Sequence, residues 1–269
     1  MKISETQLPE MFREVIQEQI DIFNQGRSIQ GQNSIPDTTD IPIENPRHWL
    51  KIPDVICVFV DMKGSTQLSA DAHDNSTAGA FQLFSGTITK LFSAFESPYI
   101  DIKGDGVFAL FDKDQPYRAL ASAVTAKTFI NEEFVPIIKD QTGLDVGSHL
   151  GIDQKTVLVR KLGFKRYRGR TDRQNEVWAG KPVNMAAKLA GLSNDNELLV
   201  SDRFFKNIKH DLVRKSCGCP SGEKKELWTE KDLAEDNRFD FDTAYALHSN
   251  WCSIHGKKYC EDIIQLDEE

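Results

Sequence analysis

Apolar residues recur every three or four positions from Glu5 to Asn24, where Leu8, Met11, Phe12, Val15, Ile16, Ile20 and Phe23 stand among charged neighbours. That spacing predicts an amphipathic helix. From Gln25 to Arg47 the periodicity lapses into Gly, Gln, Ser, Asn, Pro and Asp, the composition of a linker or extended surface arm. Val55–Val60 is then a continuous β-rich run between Pro53-Asp54 and Lys63-Gly64, predicting a strand buried on both faces. Phe81, Phe84, Ile88, Leu91, Phe92 and Phe95 share one helical stripe that stops near Ser97-Pro98. Two short β-rich runs, Tyr99–Ile102 and Val107–Phe111, flank Lys103-Gly104-Asp105-Gly106 and predict a hairpin.

A second helical pattern runs from Tyr117 to Ile138 with a break or end near Pro136, followed by strand patterns at Asp145–Ile152 and Thr156–Arg160. Lys181-Pro182 opens a helix that Gly191 closes, Leu198–Val200 is a short strand, and Ser201-Asp202 caps the next segment. The order predicts a two-layer α+β fold in which helices cover a sheet. It divides the chain into an amphipathic helix (1–24), a linker or arm (25–52), a catalytic domain (53–205) and a C-terminal extension (206–269).

Composition changes this picture only by exclusion. With 33 Lys and Arg against 41 Asp and Glu, the formal charge of the 269 residues is −8, which disfavours a basic groove for nucleic acid. The longest apolar runs are too short to cross a bilayer and the first residues lack a signal-peptide core, so no membrane partner and a cytoplasmic location are expected. The five cysteines are an odd number and Cys57 lies alone in an apolar run, which argues against a disulfide framework.

Candidate chemistry collects at three places. Asp61 ends the first buried strand and Asp105 sits in the hairpin turn. If those strands are neighbours, two carboxylates emerge together, as a pair of Mg²⁺ or Mn²⁺ ions requires. Taken singly, Asp61 is equally a helix cap and Asp105 a turn residue. Between Lys63 and Thr66 a glycine and two hydroxyl residues join strand to helix, and free N–H groups there can cradle phosphate oxygens, although a plain loop has the same composition. Asn184 and Lys188, four apart, share a helix face beside small alanines, an arrangement fit for a ribose oxygen and a phosphate charge or simply for solvent. Phe59, two residues before Asp61, is either a core residue or a platform for a nucleobase.

Together FVDMKGST, IKGDG and VNMAAKL, in this order across residues 53–205, resemble the class III nucleotidyl cyclases, the adenylate and guanylate cyclase catalytic domains. The resemblance implies a ferredoxin-like palm sheet covered by helices. It implies that Asp61 and Asp105, assisted by the Met62 carbonyl, bind two Mn²⁺ or Mg²⁺ ions, that Lys63, Gly64, Ser65 and Thr66 hold phosphate, and that Asn184 and Lys188 stabilise the transition state. Lysine stands where the family has arginine and offers a point charge instead of a fork. Arg166, Arg168, Arg170 and Arg173 are candidates to complete the phosphate contact. The family cyclises a nucleoside triphosphate by attack of the 3′-OH on the α-phosphate, with active sites at a head-to-tail dimer interface, so a homodimer is expected.

The family's base-selecting positions fall at Asp101 and near Val177, and neither matches the adenylate or the guanylate pattern. WLKIPDV at 49–55, leading into FVDMKGSTQLS, and the C-terminal extension are similar to the pyrimidine cyclases of bacterial Pycsar anti-phage systems, which signal to an effector with cyclic UMP or cyclic CMP. Asp101 can accept N3–H of uracil or the amino group of cytosine, so its chemistry leaves UTP and CTP both open. UTP is the expected substrate because cyclic UMP makers are the commoner type in that subfamily. A cyclase with divergent purine selectors and an inactive nucleotide-binding module remain the rivals. In the extension, Cys217, Cys219, Cys252, His255 and Cys260 are candidate ligands for a structural zinc ion, although Cys-x-Cys is tighter than the usual spacing.

Overall fold

The computed structural model describes residues 8–166, 168–170 and 173–269. In chain order the elements begin with α1 (Glu10–Asn24), β1 (Ser28–Gly31), β2 (His48–Lys63), α2 (Ser65–Asp71) and α3 (Asp74–Ala94). The hairpin β3 (Tyr99–Lys103) and β4 (Gly106–Phe111) leads to α4 (Pro116–Phe129), a π turn at Ile130–Phe134 and α5 (Val135–Thr142). Next come β5 (Gly147–Gly163), β6 (Gln174–Gly180), α6 (Lys181–Leu192), β7 (Leu198–Ser201), α7 (Asp202–Phe205) and α8 (Asp211–Arg214). The chain finishes with β8 (Trp228–Asp232), β9 (Thr243–Leu247) and α9 (Gly256–Gln265). Among the described residues no helix is long and apolar enough to cross a membrane.

Two compact units result, one of residues 1–52 and 158–179, the other of residues 53–157 and 180–269. In the smaller unit α1 is the predicted amphipathic helix, with Met11, Phe12, Val15 and Phe23 all exposed. Its expected start at Glu5 lies outside the described residues. Part of the expected arm is ordered: β1 pairs in parallel with the start of β2 from Ser28 opposite His48 to Gly31 opposite Lys51. Arg160 donates to the Ile43 carbonyl at 3.0 Å and the Lys161 N–H to the Pro42 carbonyl at 2.9 Å.

The larger unit is an α+β domain with strand order β3-β4-β2-β5-β7-β9-β8. Strand alternation creates its core. Ile56, Val58, Val60 and Met62 of β2 and Val107, Ala109 and Phe111 of β4 point to one face, where α3 brings Phe84, Ile88 and Phe92 and the π turn brings Phe134. Phe92 meets Phe111 edge-on at 6.5 Å. Each such fully buried ring contributes roughly 1.5–3 kcal/mol relative to exposure. The opposite face carries a second core of Met185 and Leu189 from α6 against Leu199, Ala244 and Ala246.

Several expected boundaries move. The expected strand pair at Asp145–Ile152 and Thr156–Arg160 is one strand, β5, because the polar residues between them are buried and satisfied: Asp153 accepts from Arg203, and Gln154 donates to the Asp54 carbonyl at 3.0 Å. Pro136 does not end the helix, whose right-handed backbone runs unbroken from α4 through the π turn at Ile130–Phe134 into α5; the wide turn stands immediately before the proline. α6 runs one residue past Gly191 and ends at Leu192. The expected domain edge at 205 does not coincide with an edge of the larger unit, because β9 pairs with β7 and β8 with β9.

Candidate active site

β2 and β4 pair antiparallel with Asp61 opposite Gly106, and the Met62 N–H donates to the Asp105 carbonyl at 3.3 Å. The strand end and the hairpin turn therefore lie side by side, and the two carboxylates predicted to converge are neighbours. Gly106 leaves the room for this: a Cβ there would fall 2.9 Å from Asp61 Oδ1 and 3.0 Å from Phe59 Cζ. Ser65 Oγ donates to Asp105 Oδ2, so the first residue of α2 orients the second carboxylate. Burial raises the pKa of Asp61, and the charge of Asp105 raises it further; His149 and the Met62 N–H act in the opposite direction.

Like charge beside like charge is a cost that a cation removes, and two carboxylates are the hard oxygen donors that Mg²⁺ and Mn²⁺ prefer. The residues thus fit a divalent metal. Met62 turns its own side chain into the core, leaving only its backbone for the site.

Phe59 and Asp101 join the same patch. Phe59, Phe108 and Asp101 form one cross-strand row, and Asp61, Gly106 and Lys103 the next, on the sheet face opposite the main core. Phe59 and Asp101 are half-buried there. Asp101 pairs with Lys103 at 2.7 Å and receives the Tyr99 hydroxyl at 3.5 Å.

The turn between β2 and α2 is held by Gly64, whose φ of 83° suits glycine and whose absent Cβ would fall 2.7 Å from the Asp145 carbonyl oxygen. Ser65 is buried and Thr66 exposed. Lys63 forms an ion pair with Asp195.

Asn184 and Lys188 lie exposed on α6, as their spacing predicts, while Met185, Leu189 and Ala190 are buried beneath them. α6 lies against β5 where Gly151 has no side chain: a Cβ there would fall 2.6 Å from Ala190 N and nearer still to the Ala186 carbonyl. A segment that sequence reasoning assigned no role holds this helix. Lys181 Nζ meets Asp240 at 2.6 Å and Lys188 Nζ donates to the Arg238 carbonyl at 2.7 Å. Arg203 bridges Asp240 to the buried Asp153, and these cations hold the Asp240 carboxyl far below the usual carboxylate range despite some burial. Arg166, Arg168, Arg170, Arg173 and Val177 belong to the smaller unit.

His149 was also missed. It stands half-buried on β5, its Nδ1 3.2 Å from the Ser193 carbonyl, and its positive form would favour the Asp61 carboxylate. A histidine in SHLGI carries no motif, so only the strand pairing reveals it.

The chain is 36% identical to a uridylate cyclase of Propioniciclava tarda over 230 residues, 84% of this chain and 73% of that protein. It is 33% identical to a uridylate cyclase of Micromonospora echinofusca over 234 residues, 85% of this chain and 75% of that protein. No family model matches. Among solved structures, the guanylyl cyclase Cya2 superposes with a TM-score of 0.59 at 15% identity, covering 73% of this chain and 92% of that one. The adenylyl cyclase CyaB from P. aeruginosa gives 0.58 at 16% identity, covering 75% and 96%. The fold is that of class III cyclase catalytic domains, and by its sequence relatives the chain is a nucleotidyl cyclase belonging to the same family as these uridylate cyclases.

Proposed function

We propose that this cyclase converts UTP to 3′,5′-cyclic UMP and pyrophosphate, acting as a homodimer in the cytoplasm and using two Mn²⁺ or Mg²⁺ ions held by Asp61, Asp105 and the Met62 carbonyl. The observation that carries the reading is the juxtaposition of Asp61 and Asp105 across the β2–β4 register, with Gly106 making room and Ser65 orienting one carboxylate. The names of the sequence relatives support UTP.

The ions, when bound, supply charge neutralisation to the triphosphate and acidify the ribose 3′-OH. The rest falls to side chains. Phe59 packs against base or ribose, and Asp101 accepts N3–H of uracil. Main-chain N–H groups of Lys63–Thr66 bind phosphate oxygens, with Lys63 adding its charge. Across the dimer, the partner subunit's Asn184 orients the ribose and the partner subunit's Lys188 offsets charge that builds as the α-phosphate is attacked in line. We further read the product as an anti-phage signal of the Pycsar type, sensed by a separate effector.

Each of the four nucleoside triphosphates is supplied with Mn²⁺ and the cyclic product identified by mass spectrometry. Cyclic UMP from UTP is expected; cyclic CMP or a cyclic purine nucleotide as main product overturns the substrate assignment, and no cyclic product favours an inactive nucleotide-binding module. Asp105→Ala is expected to lower turnover by on the order of 10²-fold or more. Unchanged turnover sinks the two-metal assignment.

A further inference from the structure

Three thiols and one imidazole converge in the C-terminal part of the larger unit. Sγ of Cys217, Cys219 and Cys252 and a ring nitrogen of His255 all lie within 4.8 Å of one another. His255 Nδ1 is 3.2 Å from Cys219 Sγ and 4.0 Å from Cys252 Sγ. A tetrahedral zinc ion bonded at about 2.3 Å to sulfur and about 2.0–2.1 Å to nitrogen sets sulfur–sulfur edges of about 3.8 Å and sulfur–nitrogen edges of about 3.6 Å. The cluster is within roughly an ångström of that cage.

Local sequence brings the ligands there. Gly218, at φ 91°, separates the first two cysteines, and a Cβ on it would fall 3.0 Å from the Gly222 carbonyl. The Gly222 N–H closes that turn on the Gly218 carbonyl at 2.6 Å. On the other side the Cys252 carbonyl accepts the Gly256 N–H at 2.7 Å, so Cys252 and His255, three residues apart in one turn, face the same way. Cys260, also a sequence candidate, is not in the cluster and packs instead against the main core.

Neutral thiols gain little from one another, because S–H is a weak donor and sulfur a weak acceptor. Thiolates and an imidazole are a matched donor set for zinc, and four protein ligands leave no open position for a substrate. We propose that Cys217, Cys219, Cys252 and His255 bind one structural zinc ion, which clasps the turn at residues 216–222 to the start of α9.

The clasp has mechanical work to do. Cys219 and His255 are 36 residues apart, so the ion closes a large loop. Beyond it Trp251 bonds Thr125 and Thr128 of α4 at 2.8 and 3.1 Å, and Tyr259, Ile263 and Ile264 of α9 enter the main core. At the far end Asp267 accepts the Tyr117 and Arg118 N–H groups at 3.0 and 2.7 Å, capping α4. The zinc site and this cap secure the two ends of α9.

The test uses the full chain, expressed with added zinc and purified without chelator. Elemental analysis is expected to find one zinc per chain, retained in an Asp61→Asn, Asp105→Asn double variant and in Cys260→Ser, and lost in Cys219→Ser and Cys252→Ser. Replacement by Co²⁺ should give sulfur-to-cobalt charge transfer and the intense visible bands of a tetrahedral site. Chelating the wild-type protein should speed amide exchange in α9, a readout that needs no folded serine variant. Protein free of zinc, cobalt without sulfur charge transfer, or zinc that leaves with Asp61 and Asp105 instead of with the cysteines overturns the proposal.

Discussion

Gly151→Ala tests whether α6 does chemistry as well as cover the sheet. A methyl group at Gly151 would fall 2.6 Å from Ala190 N and still closer to the Ala186 carbonyl, both main-chain atoms with no rotamer to yield. Contacts under 3.0 Å are essentially never seen for a real Cβ, so α6 must retreat from β5 by roughly an ångström. Overpacking of this kind costs about 1–3 kcal/mol of stability. Asn184 and Lys188 ride on the same helix and shift with it. A displacement of about 1 Å in a catalytic group is worth on the order of 10²-fold in rate. The assay is thermal unfolding to confirm a folded variant, then kcat and KM for UTP with Mn²⁺ well below its Tm. We expect kcat to fall on the order of 10²-fold with little change in KM, the mark of contacts made in the transition state. A folded Gly151→Ala protein with wild-type kcat would refute the role given to Asn184 and Lys188.

Three further outcomes are expected. Gly64→Ala places a side chain at φ 83° and 2.7 Å from the Asp145 carbonyl, so it should lower stability by about 1–2 kcal/mol and raise KM for the nucleotide, read by thermal unfolding and steady-state kinetics. Lys127 is fully buried with its ammonium on the His248 and Ser249 carbonyls and Asn250, and burial pulls its pKa from 10.5 down to about 8. The unfolded chain then holds more protons between about pH 8 and 10.5, so stability rises across that window, by up to roughly 3 kcal/mol in total, and the full cost is present below pH 8. Denaturant unfolding of wild type against Lys127→Met should show their difference moving by about 2 kcal/mol between pH 7.5 and 9.5; a flat difference contradicts the burial account. Ser201→Ala removes the cap that receives the Phe204 N–H at 3.3 Å and should cost about 1 kcal/mol without altering kcat.

What the sequence made legible was what local pattern controls. Continuous β-rich runs at Val55–Val60 and Val107–Phe111 predict the strands, and Gly-Asp-Gly the hairpin, so Asp61 and Asp105 fall together once those strands pair. The α6 face bearing Asn184 and Lys188 followed from helical spacing. Long-range pairing hid the rest. β5 reads as two strands because Asp153 looks like a break until Arg203, from a distant element, neutralises it. The grip of Asp240 and Arg238 on α6 arises from a segment with no motif. A lysine in an alanine-rich helix reads as a solvated residue, and only the carbonyls at 248 and 249 make Lys127 a core residue.

The π turn between α4 and α5 has a consequence for anyone altering the length of this chain. Ile130, Phe134 and Ile138, buried at intervals of four, keep that rod turned toward the sheet across one wide turn. An i→i+5 turn holds one residue more than an α turn, so excising one of the polar residues 131–133 would tighten it to an ordinary helix and leave α5 in nearly the same phase, with Phe134 and Ile138 still facing the core. Adding a residue there has no such outlet and would swing everything downstream by about 100° about the axis. The wide turn therefore has a residue to spare and no room for another.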